Sequence, residues 1–194
     1  MYRNMPANSP MQIYDHGIGA FTEDELDTLE RYCDGLALTR GPVSGLPQGG
    51  AYDDVVRVTQ IASIKQAPEI MWFYERLAEI CRGLNNRSYQ FDLRGFSEAP
   101  QFMVYRGSEG GHFDWHMDMG PLPPRKLSMT IQLTDPSHYE GCDLQFNTGT
   151  VIATAPRNRG VAIAFPSYMV HRVTPITSGT RKAIVAWVTG PGFK

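Results

Sequence analysis

Residues 21–37, FTEDELDTLERYCDGLA, place Leu26, Leu29, Cys33 and Leu36 three or four residues apart, the spacing of one apolar stripe on a helix. Thr22 stands where a cap belongs, and Glu25 follows three residues later, as a capping box requires. A second helix is expected over 67–86, APEIMWFYERLAEICRGLNN, with Pro68 near its start. Its buried face would carry Ile70, Phe73, Leu77, Ile80, Cys81 and Leu84. Residues 11–15, MQIYD, predict a short first strand, and the alternation in 55–65, VVRVTQIASIK, predicts another. Between the helices, residues 41–54, GPVSGLPQGGAYDD, are rich in Gly and Pro and read as a loop. A loop of that length is either a functional lid or a disordered segment.

From residue 88 the period changes. Short runs rich in Val, Ile, Phe, Tyr and Thr recur between Gly, Pro, Asn and Asp: SYQFDL, PQFMVYR, HFDWHMD, RKLSMTIQL, CDLQFN, TVIAT, GVAIAFPS, MVHRV and RKAIVAWV. So many short strands in about 100 residues predict a sandwich or barrel closed by two sheets. The class is mostly β with N-terminal helices (α+β), the helices bracing the outside of one sheet. The expected organisation is one domain over 1–194, with 1–87 as helical support and lid loop and 88–194 as the β core. No internal repeat, low-complexity tract or interdomain linker interrupts it.

Composition narrows the function classes. Apolar residues make up 42% and charged residues 20% of 194, and the net charge is −2. The basic residues are scattered, so no nucleic-acid partner is expected. No segment approaches the roughly 20 apolar residues of a membrane span, and the N-terminus lacks the apolar run of a signal peptide. Cys33, Cys81 and Cys142 form no CxxC pair and imply no disulfide framework, which points to a reducing, cytoplasmic setting.

The chemistry concentrates in residues 112–120, HFDWHMDMG. His112, Asp114, His116 and Asp118 stand at every second position and would share one face of an extended strand. Imidazole and carboxylate together suit divalent Fe, Mn, Zn or Cu. Two His and one carboxylate on one face of an octahedron leave three positions open, the arrangement non-heme Fe(II) oxygenases need. Of the two overlapping His-x-Asp pairs, His116 and Asp118 are favoured, because they lie further into the strand and have Phe113 and Trp115 to shape a pocket wall. His112 and Asp114 would then stand near the site or at its mouth. The third ligand is expected from His171 in FPSYMVHRV, 53 residues beyond Asp118.

After His171 the chain reads RVTPITSGTRKAIVAWV. PITSG is expected to turn, with Arg181 opening an antiparallel neighbour of the His171 strand and aiming its guanidinium into the same cavity. The guanidinium fork matches a carboxylate. Tyr105 either adds a hydroxyl hydrogen bond there or is a half-buried core residue. Trp187, at an even offset from Arg181, faces the same side, near the metal or simply within the core.

Together these residues resemble the 2-oxoglutarate/Fe(II)-dependent oxygenase superfamily, in its prolyl-4-hydroxylase-like branch. The resemblance is carried by YRGSEGGHFDWHMD, with Phe113 three residues before His116, and by AFPSYMVHRVTPITSGTRKAIVAWV, with Arg181 ten residues after His171. It covers about 90 residues closely and the N-terminal half loosely. It implies a distorted double-stranded β-helix, or jelly roll. It implies Fe(II) on His116, Asp118 and His171, 2-oxoglutarate on Arg181 and Tyr105, O2 as oxidant, and ascorbate in support. Relatives that halogenate carry a small residue at the Asp118 position, so Asp118 points to hydroxylation. Many relatives place Ser where this chain has Ala183, collagen-type enzymes use Lys at the Arg181 position, and the turn GSEGG is longer than in many relatives.

The implied reaction hydroxylates an unactivated C–H, with 2-oxoglutarate going to succinate and carbon dioxide. The expected substrate is a prolyl residue in a peptide or protein; a free amino acid or small metabolite is the alternative. A non-catalytic, cupin-like metal-binding jelly roll is the reading of another class, but a cupin would want His-x-His with Glu and a further His. The sequence carries no sign of oligomeric state.

Overall fold

A computed structural model describes residues 13–43, 52–120 and 124–192. In chain order the elements are β1 (Asp15–Gly17), α1 (Glu23–Asp34), β2 (Thr39–Arg40), β3 (Arg57–Val58), β4 (Gln60–Ser63), α2 (Met71–Leu84), β5 (Gly95–Phe96) and β6 (Gln101–Arg106). They continue with β7 (His112–His116), β8 (Arg125–Gln132), β9 (Tyr139–Gly141), β10 (Leu144–Asn147), β11 (Ile152–Thr154), β12 (Ala162–Pro166), β13 (His171–Val173) and β14 (Ile176–Thr189). The strands form two antiparallel sheets. The larger runs β1-β12-β8-β14-β6-β4-β2, with β5 and β9 also on β14, and the smaller runs β11-β10-β13-β7-β3. Residues before 88 thus supply four strands as well as the helices.

Both helices form where their apolar spacing predicts. Thr22 Oγ1 accepts from the Glu25 N–H, and Glu25 Oε2 accepts from the Thr22 N–H, closing the capping box. Helix α2 follows a short 3-10 turn at Pro68–Ile70. Leu26, Leu29 and Cys33 of α1 and Phe73, Leu77, Cys81 and Leu84 of α2 share one core with Phe102, Val104, Leu127, Met129, Ile131, Ile184, Ala186 and Val188. Those sheet residues are alternate positions of β6, β8 and β14, so the helices cover one face of the larger sheet. The opposite face carries Met103, Tyr105, Ser128, Gln132, Arg181 and Trp187, all buried. Polar side chains on a buried face need partners, and that face turns toward the smaller sheet.

Four expectations change. Residues 88–93 are not a strand: Asn85–Tyr89 extends α2 as a π turn, ended by Gln90 in a left-handed conformation. The Asn85 side chain bonds both the N–H and the C=O of Phe91, so that backbone is satisfied without a sheet. Residues 55–65 do not make one strand but cross between sheets at Thr59, β3 pairing with β7 and β4 with β6. PITSG is not a turn: Pro175 leads directly into the long β14, whose start, Ile176 to Gly179, pairs with β9. The Arg181 strand is therefore not the neighbour of the His171 strand. It pairs with β6 and β8, and its guanidinium crosses from the facing sheet. The expected strand at 11–15 and the loop at 41–54 fall partly outside the described residues.

Candidate metal and anion site

Strand pairing sets the centre of the site. β7 and β13 are antiparallel, with His116 directly opposite His171. The next registered pair is Phe113 opposite Val173, so three residues of β7 match two of β13, a β-bulge. The extra residue breaks the alternation expected for residues 112–118. Phe113 and His116 now share a side, their rings stacked at 3.6 Å and 13°. His112 and Asp114 leave that face, a correction to the reading of four side chains in one row. His112 Nδ1 contacts Gly110 O at 2.9 Å and Nε2 contacts Val55 O at 3.2 Å, while Asp114 is exposed. Neither lines the cavity.

Asp118 lies just past the end of β7, its N–H donating to Ser167 O at 2.8 Å. Its carboxylate sits between the two imidazoles, with Oδ1 3.6 Å from His116 Nε2 and Oδ2 3.5 Å from His171 Nε2. One atom from each residue lies within 4.8 Å of the other two, close enough to hold one ion. The donor chemistry fits a divalent metal. His116 Nδ1 is 2.7 Å from Asp114 O, and His171 Nδ1 is 2.9 Å from Met169 O. A carbonyl only accepts, so each Nδ1 carries the proton and each Nε2 keeps its lone pair toward the centre. Ser128 Oγ donates to Asp118 Oδ2 at 2.8 Å and contacts Ser167 Oγ at 2.9 Å.

Electrostatics keep the donors ready. Burial, then the neighbouring His171, lowers the His116 pKa to about 4. Burial alone would raise the Asp118 pKa, but the two imidazoles, then Trp187 and Ser128, outweigh it and hold it below the usual carboxylate range. Near neutral pH the triad is therefore one carboxylate and a neutral His116 imidazole beside His171.

The cavity around the triad measures about 550 Å³ and reaches Tyr105, Arg181, Trp115 and Trp187. Arg181, 2% exposed, donates from Nε (3.1 Å) and Nη2 (2.9 Å) to Gln132 Oε1. That partner is neutral, and no described carboxylate pairs with the guanidinium. Tyr105 is equally buried, its ring 5.5 Å from the Arg181 Cζ, and its hydroxyl meets the Met103 thioether at 3.5 Å with the Thr59 side chain beside it. Trp187 carries the Arg125 guanidinium on its ring at 3.9 Å, and its indole stands close enough to Asp118 to favour the ionised carboxylate. Trp115 carries Arg172 at 4.5 Å.

Sequence reasoning missed Ser128, Ser167, Gln132 and Arg57. Ser128 and Gln132 are buried polar residues of β8, and Ser167 follows the apolar β12. Arg57, in VVRVTQI, is a buried charge in a strand-like run, and it lines the cavity.

Comparison with known proteins agrees with this geometry. Residues 100–189 match the model of the 2OG-Fe(II) oxygenase superfamily. A PKHD-type hydroxylase of Colwellia psychrerythraea is 34% identical over 120 residues, covering 59% of this chain and 54% of that protein. A PKHD-type hydroxylase of Sphingopyxis alaskensis is 34% identical over 124 residues, covering 59% and 56%. The chain thus spans about half the length of the curated relatives it matches. A Pseudomonas putida prolyl-4-hydroxylase superposes with TM-score 0.70 at 18% identity, covering 93% of this chain and 94% of that one. A Trichoplax adhaerens prolyl hydroxylase, solved with a hypoxia inducible factor peptide fragment, gives 0.74 at 16%, covering 92% and 84%. The shared fold is the double-stranded β-helix.

Proposed function

We propose, from the premise that this chain belongs to the 2OG-Fe(II) oxygenase superfamily, that it is a 2-oxoglutarate-dependent hydroxylase acting on a prolyl residue of a peptide or protein. The observation that carries the proposal is one cavity holding two unlike sites. At its centre are two Nε2 lone pairs and a carboxylate, and at its side is Arg181, a buried guanidinium without an anion. His116, Asp118 and His171 would hold Fe(II), and Arg181 would hold the far carboxylate of 2-oxoglutarate, with the Tyr105 hydroxyl beside it. Iron with 2-oxoglutarate and O2 supplies the oxidising power, releasing succinate and carbon dioxide as a C–H becomes C–OH.

The protein's own residues bind, orient and exclude water. Asp114 and Met169 carbonyls fix the imidazole tautomers. Ser128 fixes one carboxylate oxygen. Gln132 holds the Arg181 fork in plane, so a carboxylate meets donors already aligned. Phe113, Phe165 and Trp187 line the walls and keep the centre dry.

The names of the hydroxylase relatives and prolyl hydroxylase structures support the substrate class. Among the described residues the His116–Asp118–His171 group is the single cluster of its kind, and no cupin-like set accompanies it. The same reading takes the chain as one oxygenase domain in a reducing, cytoplasmic compartment, supported by three free, buried cysteines. No described helix is long and apolar enough to cross a membrane.

A succinate-release screen with prolyl peptides, free amino acids and cell extract, under iron and ascorbate, tests the proposal. Succinate that depends on iron, on 2-oxoglutarate and on a prolyl peptide is the expected result. No succinate under any condition would contradict it.

A further inference from the structure

Arg57 is a second buried guanidinium in the same cavity, and the proposed function leaves it unused. It is 7% exposed and stands on β3 opposite Phe113 of β7. Its Cζ lies 4.4 Å over the Phe113 ring, and Phe113 in turn stacks on His116. Guanidinium, phenyl ring and imidazole therefore form three layers, which bring a cation close to the candidate metal centre.

Its hydrogen bonding is incomplete. Nη1 donates to Pro42 O at 2.9 Å. Nη2 meets only the Met103 sulfur, at 4.0 Å, and Nε has no partner. No described carboxylate pairs with it. Burial pulls its pKa below the usual arginine value, while Tyr105 and Asp118 oppose that from a distance. A buried cation without an anion is strongly unfavourable, and for packing alone an apolar side chain over Phe113 would serve better.

The surroundings hold the side chain in place. A Cβ on Gly41 would come within 2.7 Å of Arg57 Nε and of Thr59 Cγ2, so a larger residue there would have to push the Arg57 and Thr59 side chains aside. The next carbonyl, Pro42 O, accepts from Nη1. Pro42, Val43, Met103 and Phe113 line the cavity beside Arg57.

Charge balance, which rests on the function proposed above, says what is missing. A ferrous ion would be offset by Asp118 and one carboxylate of 2-oxoglutarate. The other carboxylate would offset Arg181. Arg57 alone would remain unbalanced once iron and cosubstrate were in place.

We propose that Arg57 is a substrate-selecting residue, binding a carboxylate carried by the primary substrate beside the carbon that reacts. The carboxylate comes either from a chain end, as in a C-terminal prolyl residue, or from an acidic side chain next to the target. The guanidinium fork takes it in both cases.

The test measures binding on the protein loaded with Fe(II) and 2-oxoglutarate and kept free of oxygen. Fluorescence of Trp115 and Trp187, which line the cavity, reports occupancy. The probes are two matched pairs: glycyl-proline against its amide, and N-acetyl-prolyl-glutamate amide against its glutamine counterpart. In the wild-type protein the carboxylate member of at least one pair should bind about 10- to 100-fold tighter, the worth of a buried charge-assisted contact. The pair that shows the preference identifies the source. Arg57→Gln should bring that ratio close to one, and Arg57→Lys should keep part of it. Equal binding of both members in both pairs, binding of none, or a preference that survives in Arg57→Gln would overturn the proposal. The wild-type comparison decides alone if a variant fails to fold. Binding of 2-oxoglutarate to the iron-loaded protein is measured first: its absence sinks the oxygenase reading, whereas its presence without a carboxylate preference sinks only the role of Arg57.

Discussion

Ser128→Ala should weaken metal binding without touching a ligand. Ser128 is buried on β8, and its hydroxyl donates to Asp118 Oδ2 at 2.8 Å. The same hydroxyl meets Ser167 Oγ at 2.9 Å, so the carboxylate is held at the end of a two-serine chain. A hydrogen bond to a buried charge is worth about 1.5–3 kcal/mol. The metal-free protein loses that bond as well, so only part of it reaches the affinity, consistent with the roughly 10- to 100-fold typical of groups that orient ligands. Alanine removes one oxygen and leaves the β8 backbone pairing to β12 and β14 intact. The assay is an oxygen-free Fe(II) titration against a competing chelator, with thermal unfolding of the metal-free protein alongside. A rise of about tenfold or more in the iron dissociation constant is expected. A constant within about threefold of wild type would show that Ser128 does not position Asp118, and the reasoning about its hydroxyl would fail.

Arg181→Met should raise the 2-oxoglutarate dissociation constant by about 100-fold or more while leaving iron affinity in the absence of 2-oxoglutarate unchanged, since two charge-assisted donors are lost; parallel titrations of wild type and variant check this. Acid should destabilise the metal-free protein. The unfolded chain protonates His116 near its ordinary value of about 6.5, whereas the folded protein resists to about 4. The unfolded state therefore binds more protons between those values, and stability falls as pH drops through that window. Asp118, held below the usual carboxylate range, loses its contribution only at still lower pH. A urea midpoint unchanged from pH 7 to pH 4.5 would contradict the burial of His116. Gly179→Ala should destabilise by at least about 2 kcal/mol. The residue has φ +74°, and an added Cβ would fall 2.0 Å from His138 O, where β14 meets β9; urea unfolding measures the loss.

Local signals carried the helices and most of the strands. The capping box at Thr22 and the stripe Leu26–Leu29–Cys33 depend on neighbours within a few residues, and they form as read. Residues 88–93 are held locally by Asn85, and the other departures depend on distant partners. PITSG has turn composition, yet pairing of β14 with β9 makes it strand, as tertiary context can do with weak β preferences. Thr59 moves the chain between sheets in the middle of an alternating run, and no local pattern marks the step. His116 was distinguishable from His112 by its aromatic neighbour, but the bulge that separates them is a mismatch between β7 and β13, visible only when both are paired. Arg181 was legible from its place at the head of RKAIVAWV, ten residues after His171. Arg57, in VVRVTQI, has no such spacing to mark it.

The central claim is that His116, Asp118 and His171 converge on one ion inside the cavity that Arg181 closes. A crystal structure of the protein soaked with Mn(II), the ion located by anomalous scattering, tests it most directly. The account predicts one ion at about 2.1 Å from His116 Nε2, His171 Nε2 and an Asp118 oxygen. An ion bound elsewhere, or one at this cavity that omits His171, would contradict it.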